Sequence, residues 1–92
     1  MLNGKQFYKG EVEFVMDKNL LREQIDSLVS AVTFEYKGKR CGVDPLSHHH
    51  YDVWYGAKCE TMTSIDQVMD EPFFDDQSLA EIAPNLKNVE IE

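Results

Sequence analysis

Residues 32–43 read VTFEYKGKRCGV, two runs of alternating side chains joined at Lys37-Gly38. In the first run every second side chain is apolar, which is typical of a strand with one buried face. Gly38 permits a tight turn between antiparallel strands. Cys41 and Val43 continue the alternation on the return strand. The segment therefore predicts a β-hairpin.

The alternation continues beyond this hairpin. Asp44-Pro45 is expected to end the second strand, because proline cannot donate a ladder hydrogen bond and restricts the residue before it. Tyr51 to Tyr55 alternates again and predicts a third strand that ends at Gly56. A shorter alternation at residues 88–92 predicts a last strand. Together these segments indicate an antiparallel meander.

The segment ahead of the hairpin predicts a helix from Lys18 to Ser30. Asp17 is placed to cap its first turn. Residues 11–15 alternate and predict a short strand, and residues 1–10 fit either part of that strand or a disordered lead-in. The apolar side chains of the helix fall on one face, and they are Leu21, Ile25, Leu28, Val29 and Val32.

The C-terminal third predicts short helices. Ser64 to Gln67 matches a capping box, so a helix should run to about Met69 and stop at Pro72. Ser78 to Glu81 is a second capping box, which opens one or two turns that end before Pro84.

Length and composition indicate one globular domain. The chain has 92 residues, of which 42% are hydrophobic, and two of them are cysteines. No run approaches the roughly 20 apolar residues of a membrane helix, and the first residues lack the apolar core of a secretory signal. We therefore expect a single domain over residues 1–92, located in the cytoplasm with reduced thiols. The alternative is a secreted form with one disulfide.

The net charge of −8 lies entirely in the last third of the chain. Residues 1–59 contain eight acids and eight bases, whereas residues 60–92 contain nine acids and the single base Lys87. Such a segment repels polyanions. The bases Lys37, Lys39 and Arg40 form one small turn rather than a stripe, so direct binding of nucleic acid is disfavoured.

The same acids carry a functional hypothesis. An acidic mimic of nucleic acid would present carboxylates where a DNA- or RNA-binding enzyme expects phosphates, and would compete for its basic groove. The structural alternative is that these acids favour the dipoles of the short helices and keep the protein in solution. The candidate carboxylates are Asp66, Asp70, Glu71, Asp75 and Asp76.

Trp54 is the strongest candidate for a protein-interaction residue. If Tyr51, Val53 and Tyr55 face the helix, the period of a strand turns Trp54 and Asp52 to the opposite face. An outward tryptophan is the kind of residue that anchors a protein interface. In the alternative that we favour, the acidic C-terminal segment covers that face, because its many apolar side chains must be buried.

Three consecutive histidines, His48, His49 and His50, are candidate metal ligands together with Cys41. Imidazole and thiolate bind zinc, copper and nickel. Adjacent residues of an extended chain point to opposite faces, however, so three in a row seldom share one ion. The alternative is a polar loop between two strands.

No catalytic template is found in the sequence. It lacks a Gly-rich phosphate loop, G-x-S-x-G and H-E-x-x-H. Cys41 is in phase with Val43, so a buried small hydrophobe fits it better than a nucleophile, which needs a low thiol pKa and a positioned base. We therefore predict a protein that is not an enzyme and holds no cofactor.

Three segments carry a resemblance to a group of proteins, namely residues 34–45, 50–56 and 73–75. They read FEYKGKRCGVDP, HYDVWYG and FFD, and they resemble small acidic proteins of Gram-positive bacteria whose function is not established. The resemblance covers roughly residues 16–92. It implies a bacterial cytosolic protein and transfers no catalytic or binding residue.

The sequence thus predicts an α+β fold, with one amphipathic helix packed on an antiparallel β-meander of three to five strands and short C-terminal helices. The leading hypothesis is a non-enzymatic protein-interaction module, either a homodimer or a binder of another protein. It would use the face around Trp54 or the acidic tail. The acidic mimic of nucleic acid and a metal-binding module at His48–His50 are the alternatives. No membrane partner is expected.

Overall fold

A five-stranded antiparallel sheet organises the part of the chain that the computed structural model describes, residues 17–91. The predicted strand at residues 11–15 and the predicted lead-in at residues 1–10 lie outside this range. No helix between residues 17 and 91 is long and apolar enough to cross a membrane. The elements in chain order are α1 (Lys18–Asp26), β1 (Val32–Tyr36), β2 (Lys39–Ser47), β3 (His50–Tyr55), β4 (Lys58–Met62), α2 (Ile65–Asp70), α3 (Leu79–Ile82), a 3-10 turn (Ala83–Asn85) and β5 (Lys87–Ile91).

The first three strands form the predicted meander, and β4, which was not predicted, extends it by one strand. The strand order is β4-β3-β2-β1-β5, so the last strand of the chain, β5, pairs with β1 at the edge opposite β4. Lys37 and Gly38, with φ of 52° and 77°, form the two-residue turn between β1 and β2. Positive φ at both positions gives a turn whose twist matches that of the flanking strands. The predicted α+β fold is confirmed.

β2 continues through Pro45 to Ser47, so the prediction that the strand ends at this proline is wrong. The N–H of Gly56 donates to the carbonyl of Arg40 at 2.7 Å. The even-numbered residues of β2 therefore bond to β3, and the odd-numbered ones face β1. The last β1–β2 pair lies at Val43. The backbone nitrogen of Pro45 therefore points toward the β1 side, where no strand pairs with this residue, so the missing N–H costs no ladder hydrogen bond. A bulge follows Pro45.

α1 begins as predicted. The carboxylate of its N-cap, Asp17, accepts a hydrogen bond from the N–H of Asn19 at 2.6 Å. Leu21 and Ile25, one turn apart, are fully buried. The first two turns of the helix therefore pack on the sheet with the face that the sequence indicates.

The end of α1 differs from the prediction. The helix stops at Asp26, where the hydroxyl of Ser27 donates to the carbonyl of Gln24 at 2.7 Å. Such local side-chain bonds compete with the helical pattern. Leu28 then takes a positive φ of 60°. Val29 is 78% exposed, so it is not part of the buried helical face.

The core lies on one side of the sheet, which we call the inner face. The C-terminal segment packs there with α1, and the ring centroid of Phe74 lies 6.0 Å from that of Phe34 and 5.9 Å from that of Tyr55. The capping box predicted at Ser78 is present, with Ser78 and Glu81 bonded reciprocally. At Ser64 only half of the predicted box forms: its hydroxyl accepts from the N–H of Gln67, whereas the Gln67 side chain accepts from the N–H of Thr63. This segment, residues 63–86, contributes these buried apolar side chains: Val68, Met69, Phe73, Phe74, Leu79, Ile82, Ala83 and Leu86.

Candidate functional site

Trp54 lies on the opposite side of the sheet, which we call the outer face. Its strand neighbours Val53 and Tyr55 are buried on the inner face, so the side-chain alternation of β3 is as predicted. The expectation that the acidic segment covers Trp54 is wrong, because that segment packs on the inner face, where Phe74 contacts Tyr55. The buried side chains of α1, α2, α3 and the 3-10 turn all belong to the one core cluster on the inner face, and Trp54 remains partly exposed.

The indole of Trp54 occupies the space beside Gly42, its partner on β2. A Cβ placed on Gly42 would lie 2.6 Å from Cη2 of Trp54 and 2.8 Å from Cε2, and closer still to Cζ2. A glycine within a strand often marks such a close approach. The absent side chain lets the indole rest on the backbone of β2.

A polar network borders Trp54 on the other side. Cys59, its partner on β4, is exposed. The carboxylate of Asp52 accepts a hydrogen bond from the hydroxyl of Thr61 at 3.1 Å and contacts Nε2 of His50 at 3.0 Å. The outer face therefore presents one large aromatic side chain with a thiol beside it and hydrogen-bonded polar groups around it.

The sequence did not indicate three of these neighbours. Gly42 could have been recognised, since an isolated glycine within an alternating strand indicates a close approach. Cys59 and Thr61 were missed because β4 was not predicted as a strand. Met62 is its only fully buried residue, so the strand shows little alternation.

Two of the five candidate acids are paired with cations of the N-terminal half. Arg22 donates to Asp66 at 2.6 Å, and this hydrogen bond raises the pKa of the guanidinium. Lys37 donates to Asp75 at 2.8 Å. That hydrogen bond lowers the pKa of Asp75 and raises the pKa of Lys37. These two acids attach the C-terminal segment to the rest of the fold.

The other three acids are arranged differently. Asp70 and Asp76 are exposed, and Glu71 accepts from the side-chain amide of Gln67 at 2.8 Å. The pKa of Glu60 on β4 is raised, chiefly by a hydrogen bond to Glu71 and then by desolvation and charge repulsion. With two of the five carboxylates neutralised by partners, the nucleic-acid mimic keeps less of its expected charge. It stays a prediction.

The three histidines are exposed, and the structure does not gather them around a common point. His48 and His49 form the turn between β2 and β3, the polar loop given as the alternative. His48 lies 3.3 Å from Asp26, whereas His50 contacts Asp52 on the outer face. Within residues 17–91 no three side chains of histidine, cysteine, aspartate or glutamate group where they could hold a metal ion.

Cys41 lies in the core, away from these histidines. Its side chain is fully buried, and desolvation raises the pKa of its thiol to about 11. His48 lies seven positions further along the chain, a distance of about 23 Å along an extended strand. The thiol therefore stays protonated at neutral pH and does not reach an ion held by the histidines, as expected of a buried small hydrophobe.

Comparison of the chain with protein-family models, with curated proteins and with solved structures finds no match.

Proposed function

We propose that this protein is a non-enzymatic interaction module that binds a partner protein through its outer face, with Trp54 as the anchor. The observation that carries the proposal is the position of the indole. It rests on the backbone at Gly42 and remains partly exposed on the face of the sheet opposite the core cluster.

The surroundings of Trp54 have the chemistry of an interface centre. A rigid aromatic side chain loses little conformational entropy when a partner covers it, and tryptophan is enriched among the residues that dominate binding energy. The bonded groups of Asp52 and Thr61 supply a polar rim whose hydrogen bonds are already formed. A cytoplasmic location, in which Cys59 stays a free thiol, is part of the proposal.

The test compares partner capture by the wild-type chain with capture by Trp54→Ser. Leu46→Ser is the matched control, because Leu46 is a large exposed hydrophobic residue, 56% exposed, away from Trp54 on the bulge of β2. Each tagged protein is incubated with host lysate, and the retained proteins are quantified by mass spectrometry. Circular dichroism establishes that each variant is folded.

A partner retained by wild type and Leu46→Ser should fall at least tenfold with Trp54→Ser, as expected for loss of an anchor worth about 2 kcal/mol. The partner should then protect the single tryptophan from acrylamide quenching. Equal retention by Trp54→Ser, or quenching that the partner leaves unchanged, would refute a role for this face.

A further inference from the structure

The two edge strands of the sheet, β5 and β4, differ in how regular they are. On β5, the pairing with β1 slips between Thr33 and Glu35, and Asn88 has a positive φ of 52°. Such a bulge bends an edge and blocks further pairing. β4 pairs with β3 over five consecutive residues, from Lys58 to Met62, without a bulge or a proline. β4 is therefore a straight edge, without the bulge and the positive φ that interrupt β5, and its charges at Lys58 and Glu60 restrict the partners with which it can pair.

The hydrogen-bond pattern defines which groups of β4 are open. Tyr55 pairs with Lys58 across the two-residue turn, so the backbone N–H and C=O of Lys58 face β3. Those of Cys59 and Thr61 then face away from the sheet. Both residues are exposed, and an open groove of about 390 Å³ lies beside them. Among residues 17–91 no strand pairs with this side of β4, so its backbone donors and acceptors are open to an incoming strand.

We propose that β4 pairs antiparallel with β4 of a second copy of this chain, in the register that places Cys59 opposite Cys59 of the partner subunit. The inference rests on the proposed function, since it names a partner for the border of the same outer face. It joins two sheets into one of ten strands. The backbone groups of the two Cys59 residues then form two hydrogen bonds with each other.

Several registers of the β4–β4 pair keep the inner faces of the two sheets on the same side, and the charges of β4 favour one of them. Centring the pairing on Lys58 opposes two lysines, and centring it on Glu60 opposes two glutamates. Centring it on Thr61 opposes a glutamate with Met62. Only the register centred on Cys59 places each Lys58 opposite the partner's Glu60, with Cβ atoms about 5 Å apart. Like charges directly opposite destabilise a strand pair, whereas opposite charges stabilise it.

On the inner face, this pairing places a cation of the partner near the carboxylate of Glu60. Glu60 lies beside Glu71, and its own pKa is raised by that neighbour. Lys58 of the same chain is turned toward Phe73, where its Nζ donates to the backbone carbonyl at 3.2 Å and lies 4.6 Å from the ring centroid. In the dimer, the partner's Lys58 exchanges its contacts with Phe73 for the two carboxylates, which adds a second cation to the one that Lys58 of the same chain already provides.

The same contact joins the outer faces of the two subunits into one surface. Trp54 and Cys59 are partners across β3 and β4. In the dimer a row therefore runs from Trp54 through both Cys59 residues to the partner's Trp54. The two indoles lie three strand spacings apart, about 14 Å. The interaction surface becomes a symmetric pair of aromatic anchors on one face.

Charge reversal tests the register. Lys58→Glu sets two carboxylates opposite each other across the dimer contact, and Glu60→Lys sets two ammonium groups opposite each other there. Each variant alone should have a dimer Kd at least tenfold above that of the wild-type chain, measured by sedimentation equilibrium up to about 1 mM protein. An equimolar mixture of the two should form a heterodimer, and the double variant Lys58→Glu/Glu60→Lys should regain the wild-type dimer. Circular dichroism controls for folding.

A short bismaleimide provides a second readout. It should link two wild-type chains through Cys59, and Cys59→Ser should abolish the linked species. A monomer at about 1 mM, or a dimer that both charge variants retain without cross-linking at Cys59, overturns this inference. Neither outcome bears on partner capture through Trp54. Conversely, an intact charge-swapped dimer together with unchanged capture by Trp54→Ser supports the β4 contact and refutes the proposed function.

Discussion

Gly42→Ala is predicted to change stability in opposite directions depending on Trp54. In the wild-type background, the new Cβ would lie within 2.8 Å of three indole carbons, a separation that van der Waals contacts do not reach. Overpacking of this kind costs about 1–3 kcal/mol. Replacing a glycine inside a strand returns about 0.5–1 kcal/mol of chain entropy. The net expectation is a loss of about 0–2.5 kcal/mol in the free energy of unfolding, centred near 1 kcal/mol.

The same substitution in a Trp54→Ala chain meets no indole. Gly42 has no positive φ, so alanine is compatible with its backbone. Gly42→Ala should then raise the free energy of unfolding by about 0.5–1 kcal/mol. The difference between the two backgrounds is the overpacking energy, about 1–3 kcal/mol.

Urea unfolding followed by far-ultraviolet circular dichroism measures all four proteins, because the Trp54→Ala chains contain no tryptophan for fluorescence. In the single Gly42→Ala variant, which retains the only tryptophan, the emission should also shift to the red as the ring is displaced toward solvent. If Gly42→Ala changes stability by the same amount in both backgrounds, within about 0.5 kcal/mol, the indole does not rest on this glycine.

Three further predictions concern the turn at Asp75-Asp76 and the thiols. Asp76 has a φ of 66° in the turn between Phe74 and Gln77, whose backbones are hydrogen-bonded to each other. Asp76→Gly should therefore stabilise the protein by about 0.5–1 kcal/mol, and Asp76→Ala should be near neutral. A lower urea midpoint for the glycine variant would contradict this. Because Lys37 lowers the pKa of Asp75, the contribution of the pair is complete above an ordinary aspartate pKa of about 3.9 and is lost as pH falls through the lower folded value. Lys37→Met should flatten the pH dependence of unfolding in that acidic range, and superimposable profiles would contradict the pairing. Labelling with a maleimide at pH 8 should modify one thiol rapidly, and Cys59→Ser should remove that phase, because the buried thiol of Cys41 has a pKa of about 11; a fast phase that survives would show that Cys41 is accessible.

Local patterns predicted the elements whose signals are contained within a few residues. The turn at Gly38, the alternation of β3 and the capping box at Ser78 depend on neighbours along the chain, and all three are present. β2 exceeded its predicted end because the effect of Pro45 depends on whether another strand lies on its donor side. That property belongs to the sheet rather than to the tripeptide around the proline.

Local sequence patterns could not predict which face of the sheet the acidic segment covers, because this too depends on the whole sheet. The alternation of β3 predicts that Trp54 and Tyr55 lie on opposite faces, but it does not indicate which face receives the next layer. Phe74 joins Phe34 and Tyr55 on the side where α1 is already packed. One thick core buries more apolar surface than two thin ones, so α1 and the C-terminal segment share a face. The outer face keeps its tryptophan accessible as a consequence.

The charge asymmetry takes on a structural meaning once the long-range pairs are known. Arg22 and Asp66 are 44 residues apart in the chain, and Lys37 and Asp75 are 38 apart, so neither pair could be read from sequence spacing. Each joins a base of the charge-balanced half to an acid of the negative segment. Exposed pairs of this kind add little stability, but opposite charges favour one docking arrangement over others. Part of the acidic charge therefore orients the C-terminal layer on the sheet.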